Sequence, residues 1–249
     1  MQVATAPAPE PSVAILGRQR HHPLASEPLP EHVPPCSTPP GGLAVAIGTT
    51  DVTGAAALVD LDWSHLAVYG PPRSGRSTTL ATVATQLAAS GHRVVVGGPT
   101  SSPLRDLVRL PGVRAAFGRD VGPMLDGLTA VSTTPRVLVL DDLDALDDPS
   151  LVPAFERLAR DEMLRLVAAL EPRTGFTTNP LVGLARRARR MLVLQPDDPA
   201  EFLQLTGLRL ALRPGLRMPP GRGVLLVDRQ PTVVQVADAL SLVGTGTRP

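Results

Sequence analysis

Residues 69–78 read YGPPRSGRST. Gly70 and Gly75 bracket Pro71, Pro72, Arg73 and Ser74, and Arg76, Ser77 and Thr78 follow. The stretch is preceded by HLAV (65–68), an apolar strand pattern. It is followed by STTLATVATQLAAS (77–90), where Leu80, Val83, Ala84 and Leu87 recur at helical spacing. A glycine-rich turn between a strand and a helix presents backbone N–H groups to an anion at the positive end of the helix. Gly70 permits the tight exit from the strand, and Gly75 lets the backbone approach phosphate oxygens. Ser77 stands where a hydroxyl reaches Mg²⁺, with Thr78 behind it at the phosphate end. The spacing G-x-x-x-x-G-x-S is that of a phosphate-binding loop with one departure, Arg76 in place of the usual lysine. Arginine keeps the charge, but its planar guanidinium is larger and prefers a two-pronged contact.

A second motif gives the first its context. VLVLDD (137–142) is four apolar residues followed by two acids. In a nucleotide-hydrolysing site the first acid, Asp141, holds Mg²⁺ through water. The second, Asp142, stands where a glutamate usually polarises the attacking water, which makes it the catalytic candidate. Aspartate is one methylene shorter, which limits its reach. Loop and acid strand, in this order, predict a P-loop nucleotide-binding fold that takes ATP and Mg²⁺. Cofactor contacts are expected at Gly70, Pro71, Pro72, Arg73, Ser74, Gly75, Arg76, Ser77 and Thr78, and metal contacts at Ser77 and Asp141.

Outward from the loop, short apolar strands alternate with helical patterns. GLAVAIG (42–48), AALVDLD (56–62), RVVVGG (93–98), GVRAAFG (112–118), LRLVAAL (164–170) and RMLVLQ (190–195) read as strands. RVLVLDD (136–142) is apolar along its length, as a strand buried on both faces of a parallel sheet is. Helices are expected after Asp148 and Pro149, around NPLVGLARRA (179–188), and after Asp198 and Pro199 with Glu201 in a capping-box position. Gly91 marks a left-handed stop for the helix after the loop. RGVLLVD (222–228) and PTVVQVA (231–237) predict a closing hairpin. The fold class is therefore α/β, with a mainly parallel sheet flanked by helices, a C-terminal hairpin and a proline-rich flexible N-terminal arm. Ligands of such sheets sit beyond the carboxyl ends of the strands, where Gly70 and Asp141 both fall.

Composition bounds the rest. Residues 1–40 hold ten of the chain's 28 prolines and no aromatic residue, which reads as a linker or arm with at most a short strand over 12–17. The expected division is an arm over 1–40, a domain over 41–240 and a frayed tail over 241–249. The net charge is +1, from 24 basic and 23 acidic residues, so bulk electrostatics do not favour nucleic acid. A single cysteine, Cys36, excludes an internal disulfide and reads as a free thiol. No signal peptide is evident, and no apolar run approaches the roughly 20 residues that span a bilayer. A cytoplasmic chain without direct membrane insertion is expected. Every basic residue is arginine, as in the codon usage of a high-GC genome, so Arg76 by itself is weak evidence of deliberate inactivation.

Other residues carry weaker signals. Arg157, Arg160 and Arg165 read as solvated helix charges, or as a finger toward a neighbouring subunit's ATP. ARRARRM (185–191) reads as a polar helix face, or as a contact to DNA phosphates, without the aromatics a stacking platform needs. Arg173, Thr177 and Thr178 are candidate γ-phosphate sensors. His21 and His22 read as solvated, and Trp63 as core packing.

The order of segments resembles the FtsK/SpoIIIE ATPase family, and in particular the last of three tandem ATPase domains in the type VII secretion motor EccC of actinobacteria. The resemblance covers roughly residues 28–240. It is carried by PLPEHV (28–33), GLAVAIGTTDVTGAAALVDLD (42–62), SHLAVYGPPRSGRSTTL (64–80) and RVLVLDDLDALDD (136–148). NPLVGLARRARRMLVLQPDDPAEFLQLTG (179–207) and MPPGRGVLLVDRQPTVVQVA (218–237) narrow it. The resemblance implies a RecA-like domain that works beside other ATPase domains or subunits of a motor ring, attached to a membrane complex through its partners. In the secretion branch the terminal domain is implicated in recognising small helical substrates, and in the DNA-translocating branch the same fold moves DNA. Arg76 and Asp142 depart from the pattern, and the chain is shorter than a full motor. Three readings follow: a regulatory or substrate-recognising ATP-binding domain of a secretion motor, an active ATP-driven DNA translocase, and a protein-docking module with an empty nucleotide site.

Overall fold

The apolar runs pair into one ten-stranded sheet in a computed structural model that describes residues 29–36, 41–51, 54–128, 133–172, 179–209 and 218–239. The expected strand over 12–17, His21, His22, Arg173, Thr177, Thr178 and the tail 241–249 lie outside the described residues. In chain order the elements are β1 (Ala44–Thr50), β2 (Ala56–Asp60), β3 (Leu66–Tyr69), α1 (Arg76–Ala89), β4 (Val94–Gly98), β5 (Val113–Phe117), α2 (Val121–Leu128), β6 (Arg136–Leu140), α3 (Val152–Ala159), β7 (Leu164–Leu170), α4 (Pro180–Arg186), β8 (Arg190–Leu194), α5 (Pro199–Thr206), β9 (Arg222–Val227) and β10 (Gln230–Val236).

The sheet runs β2-β1-β10-β9-β8-β3-β7-β6-β4-β5. From β8 to β5 every pairing is parallel, because each return passes through a helix or a long crossover. From β8 to β2 every pairing is antiparallel, carried by the β9–β10 hairpin and the β1–β2 pair. The loop-bearing strand β3 lies between β7 and β8, with Val68 opposite Ala169 and Leu192. All residues of β3 and β7 are buried, as strands covered on both faces must be.

Period-two alternation splits the core in two. Leu66 and Val68 face the layer made by α1 and the 3₁₀ segment Pro103–Arg109, and Ala67 and Tyr69 face the layer of α2, α3, α4 and α5. Leu80, Val83, Ala84 and Leu87, singled out by their spacing, are fully buried. Each buried valine or leucine contributes about 1.5–3 kcal/mol. Gly91 takes φ 84 just beyond α1, which stops the helix. Gln86 of α1 repairs the irregularity in β1, where its Oε1 accepts from Ala46 N–H (2.8 Å) and its Nε2 donates to Ala46 O (2.5 Å). The leading segment docks on the far side. Val33 is buried and bridges Ala237, and Asp238 N–H donates to Val33 O (3.1 Å).

Four elements lie where no element is expected from the sequence: the 3₁₀ segment Pro103–Arg109, α2, and the short 3₁₀ turns Gly118–Asp120 and Leu143–Ala145. In α2, Gly122, Pro123 and Gly127 mask the helical pattern. Pro123 is tolerated because it sits in the first turn. Two side-chain readings are overturned. Trp63 is not core: it is 90% exposed, in the turn before β3 where Leu61 takes the buried position. Arg165 is neither a solvated helix charge nor a finger. It lies in β7, 7% exposed, where its Nε donates to Asp62 O (2.7 Å) and its Nη1 to Glu162 O (2.7 Å). Arg157 does lie on α3 and Arg160 is its C-cap, paired with Asp126 and Glu156 respectively. The ARRARRM cluster runs off the C-terminus of α4. Arg186, Arg187 and Arg189 are exposed there, and Arg190 pairs with Asp228 (2.7 Å). Among the described residues, no helix is long and apolar enough to cross a membrane.

Candidate nucleotide-binding site

The site begins where β3 ends. A side chain at Gly70 would come within 2.4 Å of Ser74 Oγ and 3.0 Å of Leu194 Cβ, so only glycine leaves room for the loop to fold back. Ser74 N–H donates to Pro71 O (3.2 Å) and closes the turn, leaving Pro72 and Arg73 on its outer, exposed side. Arg73 takes φ 65 and Gly75 φ 103. A Cβ at Gly75 would stand 2.8 Å from Gly221 N, so the loop passes hard against the segment before β9. Helix α1 starts at Arg76 with no side-chain cap and no acidic residue in its first turn. No side-chain cap or acid therefore neutralises its opening N–H groups and the positive end of its dipole, which stand at the loop. Thr78 is half-buried, and its carbonyl accepts from Thr82 Oγ1 (3.0 Å).

The acid strand meets the loop from β6. Asp141 is 1% exposed and accepts from Ser77 Oγ through both carboxylate oxygens, at 3.2 and 3.0 Å. Ser102 Oγ donates to Asp141 Oδ2 at 2.6 Å. Sequence reasoning missed Ser102. It caps the 3₁₀ segment by accepting from Leu104 N–H (3.2 Å), and a Cβ on neighbouring Gly98 would stand 3.1 Å from Asp141 Cβ. The available signal was the turn sequence GGPTSS (97–102) at the end of a strand beside β6.

Asp142 follows with φ 43, a left-handed conformation that aspartate tolerates better than most residues. Its Oδ1 accepts from Arg76 Nη2 at 2.7 Å. The two positions that depart from the usual loop and acid motif therefore bond to each other. The Arg76 side chain is 10% exposed and that of Asp142 36%. Burial pushes the Asp142 carboxyl above its ordinary range and the Asp141 charge adds to this, while Arg76 opposes both. The ion pair thus stabilises a carboxylate that its surroundings disfavour. Arg76 Nη1 and Ser74 Oγ are buried without a hydrogen-bond partner among the described residues. Buried donors of this kind are costly to leave unmade.

The C-terminal elements brace the loop from behind. Gly221 N–H donates to Ser74 O (2.7 Å). Gln235 Nε2 donates to Pro220 O (2.9 Å), and its Oε1 accepts from Arg222 Nε (3.1 Å). Arg222 Nη2 reaches on to the carbonyls of Leu29 and Pro30. Gln195, at the end of β8, donates to Met218 O (2.7 Å). The stretches PPGRG (219–223) and VQVA (234–237) are thus one hydrogen-bonded support that ties the leading segment to the glycine-rich loop.

No family model matches this sequence. Solved structures do. The cytoplasmic domain of the type VII secretion ATPase EccC from Thermomonospora curvata superposes with TM-score 0.64 at 20% identity, over 84% of this chain and 28% of that one. The chain has the fold of this cytoplasmic ATPase domain. ATPases 2 and 3 of EssC from Geobacillus thermodenitrificans match with TM-score 0.68 at 18% identity, over 89% of this chain and 49% of that one. ATPases 2 and 3 of Thermomonospora curvata EccC, in complex with a signal sequence peptide, match with TM-score 0.60 at 17% identity, over 84% and 44%. This chain therefore spans between 28% and 49% of the length of these three structures. The sheet and its flanking helices are those of a RecA-like P-loop fold, as the resemblance implies, and the alternating pattern predicts its α/β class.

Proposed function

We propose that this chain is an ATP-binding domain of a type VII protein-secretion motor, with a regulatory or substrate-recognising role. The observation that carries the reading is the meeting of Ser77 and Asp141 beside the uncapped start of α1, at the carboxyl ends of β3 and β6. The donor set fits Mg²⁺, which prefers oxygen ligands and is commonly held through one or two carboxylates plus phosphate. Ser77 and Asp141 would hold the metal, Ser102 would orient Asp141, and the loop from Gly70 to Thr78 would take the phosphates of ATP. Mg²⁺, when bound, neutralises charge on the outer phosphates. Gly75 keeps the backbone close to those phosphates, and Gly70 with Ser74 sets the turn. Asp142 is engaged by Arg76 and not free to orient water, which favours nucleotide binding over fast turnover.

Residues 41–240 form the working domain in this proposal, 1–40 an arm and 241–249 a tail. The partners are neighbouring ATPase domains or subunits of a motor ring and a small helical secreted substrate, on the cytoplasmic side of a membrane complex. Calorimetric titration of the folded chain with Mg-ATP tests the reading, and saturable binding is expected. Absence of binding at millimolar nucleotide would leave only a protein-docking module. ATPase activity that rises with added duplex DNA and is lost in Asp141→Ala would replace the proposal with a DNA translocase.

A further inference from the structure

Arg76 and Asp142 are separately read as losses from a working motif, yet the structure makes them partners. Nη2 of Arg76 donates to Asp142 Oδ1 at 2.7 Å, while Nη1 of the same guanidinium is buried and has no hydrogen-bond partner among the described residues. The guanidinium is planar and its donors point in fixed directions, so holding one prong on Asp142 fixes where the other points. Arginine at 76 follows from a chain without lysine, but the acid that meets it does not follow from composition. Asp142 turns its backbone left-handed to do so, a conformation that costs free energy and that concentrates at functional sites.

We propose that Arg76 joins Asp142 to the outer phosphate of the nucleotide, with Nη2 on the carboxylate and Nη1 donating to a phosphate oxygen. The inference rests on the nucleotide site proposed above. Arg76 is then a phosphate-binding residue that also positions Asp142, and the two substitutions are one matched change. Lysine at 76 offers a mobile point charge that cannot keep both anions in a fixed geometry. Glutamate at 142 is one methylene longer and pushes the guanidinium off its position. Neither single change restores a better site; each breaks a pair.

The test is calorimetry on the full chain with two probes, Mg-ATPγS and Mg-ADP, which differ in the outer phosphate. Wild type is expected to bind ATPγS. R76K is expected to bind ATPγS at least tenfold more weakly, with ADP affinity within twofold of wild type. D142E, which keeps arginine at 76 but shifts its guanidinium, is expected to lose at least threefold of the preference for ATPγS over ADP. It provides an independent check should R76K fail to fold. If R76K binds both nucleotides as wild type does, or loses both equally, Arg76 has no outer-phosphate role and the inference falls while the nucleotide site stands. If D142E keeps the wild-type preference, the coupling to Asp142 falls. If wild type binds neither nucleotide, the site reading and the inference fall together.

Discussion

Ser102→Ala probes whether Asp141 is held as a charged, pre-set ligand. Ser102 is 4% exposed, and its hydroxyl makes two contacts: a 2.6 Å donation to Asp141 Oδ2 and a 3.2 Å acceptance from Leu104 N–H. A hydrogen bond to a charged group contributes about 1.5–3 kcal/mol. A lost serine cap costs about 1 kcal/mol. Alanine adds no compensating burial, so the expected loss is about 3 kcal/mol, a large part of a typical 5–15 kcal/mol total. Urea unfolding followed by circular dichroism should show a lower midpoint with an unchanged slope. The charged share is isolated in an Asp141→Asn background, where the bond becomes neutral and the cost of Ser102→Ala should fall to about 1–2 kcal/mol. A cost below about 1 kcal/mol in wild type, or an equal cost in both backgrounds, would refute the argument that Ser102 holds a carboxylate.

Gly75→Ala places a Cβ 2.8 Å from Gly221 N at φ 103, so it should destabilise by about 2 kcal/mol and lower the melting temperature by about 5 °C; an unchanged Tm would show that the loop has slack there. Burial, helped by the nearby Arg165 and Arg187 charges, holds the His65 imidazole below its ordinary pKa, and its Nδ1 accepts from Leu166 N–H (3.1 Å). Because the folded value is depressed, stability is full above the unfolded pKa of about 6.5 and falls as pH drops through it. His65→Gln should flatten that slope in denaturation curves taken between pH 5 and 7, and an identical slope would remove His65 as its source. Trp63→Ser should change stability by less than about 0.5 kcal/mol in chemical denaturation, since the indole is 90% exposed; a loss above about 2 kcal/mol would return it to the core.

Much of the fold was legible because its signals are local. The strands flanking the phosphate loop are short apolar runs, and α1 shows four apolar positions at helical spacing, all of them buried. Caps were readable for the same reason: Asp148, Asn179 and Asp198 each accept from the N–H two residues on, and a proline follows each of them. Where local chemistry pointed the other way, as with Gly122, Pro123 and Gly127 in α2, packing of Val121 and Leu125 into the core prevailed over propensity. Trp63 and Arg165 are not legible because burial is a property of position: Trp63 lies in the turn before β3 and Arg165 at the start of β7. Arg165 reaches back to cap backbone carbonyls, while Trp63 is left uncovered by the described residues.

For this protein the sequence by itself determined the glycine-rich turn, the acid-ended strand and the alternation that makes the half of the sheet from β8 to β5 parallel, since turn chemistry and periodicity act over a few residues. Only the tertiary structure decided what Arg76 means. Its partner stands 66 residues away, and the contact exists because β6 and β3, separated by β7, bring their carboxyl ends to one edge of the sheet. The same convergence of strand ends recruited Ser102 to Asp141 across 39 residues and tied Gly221 to Ser74. Strand register places these side chains within bonding distance, and register is written in the pairing of the whole sheet and not in any one segment of it.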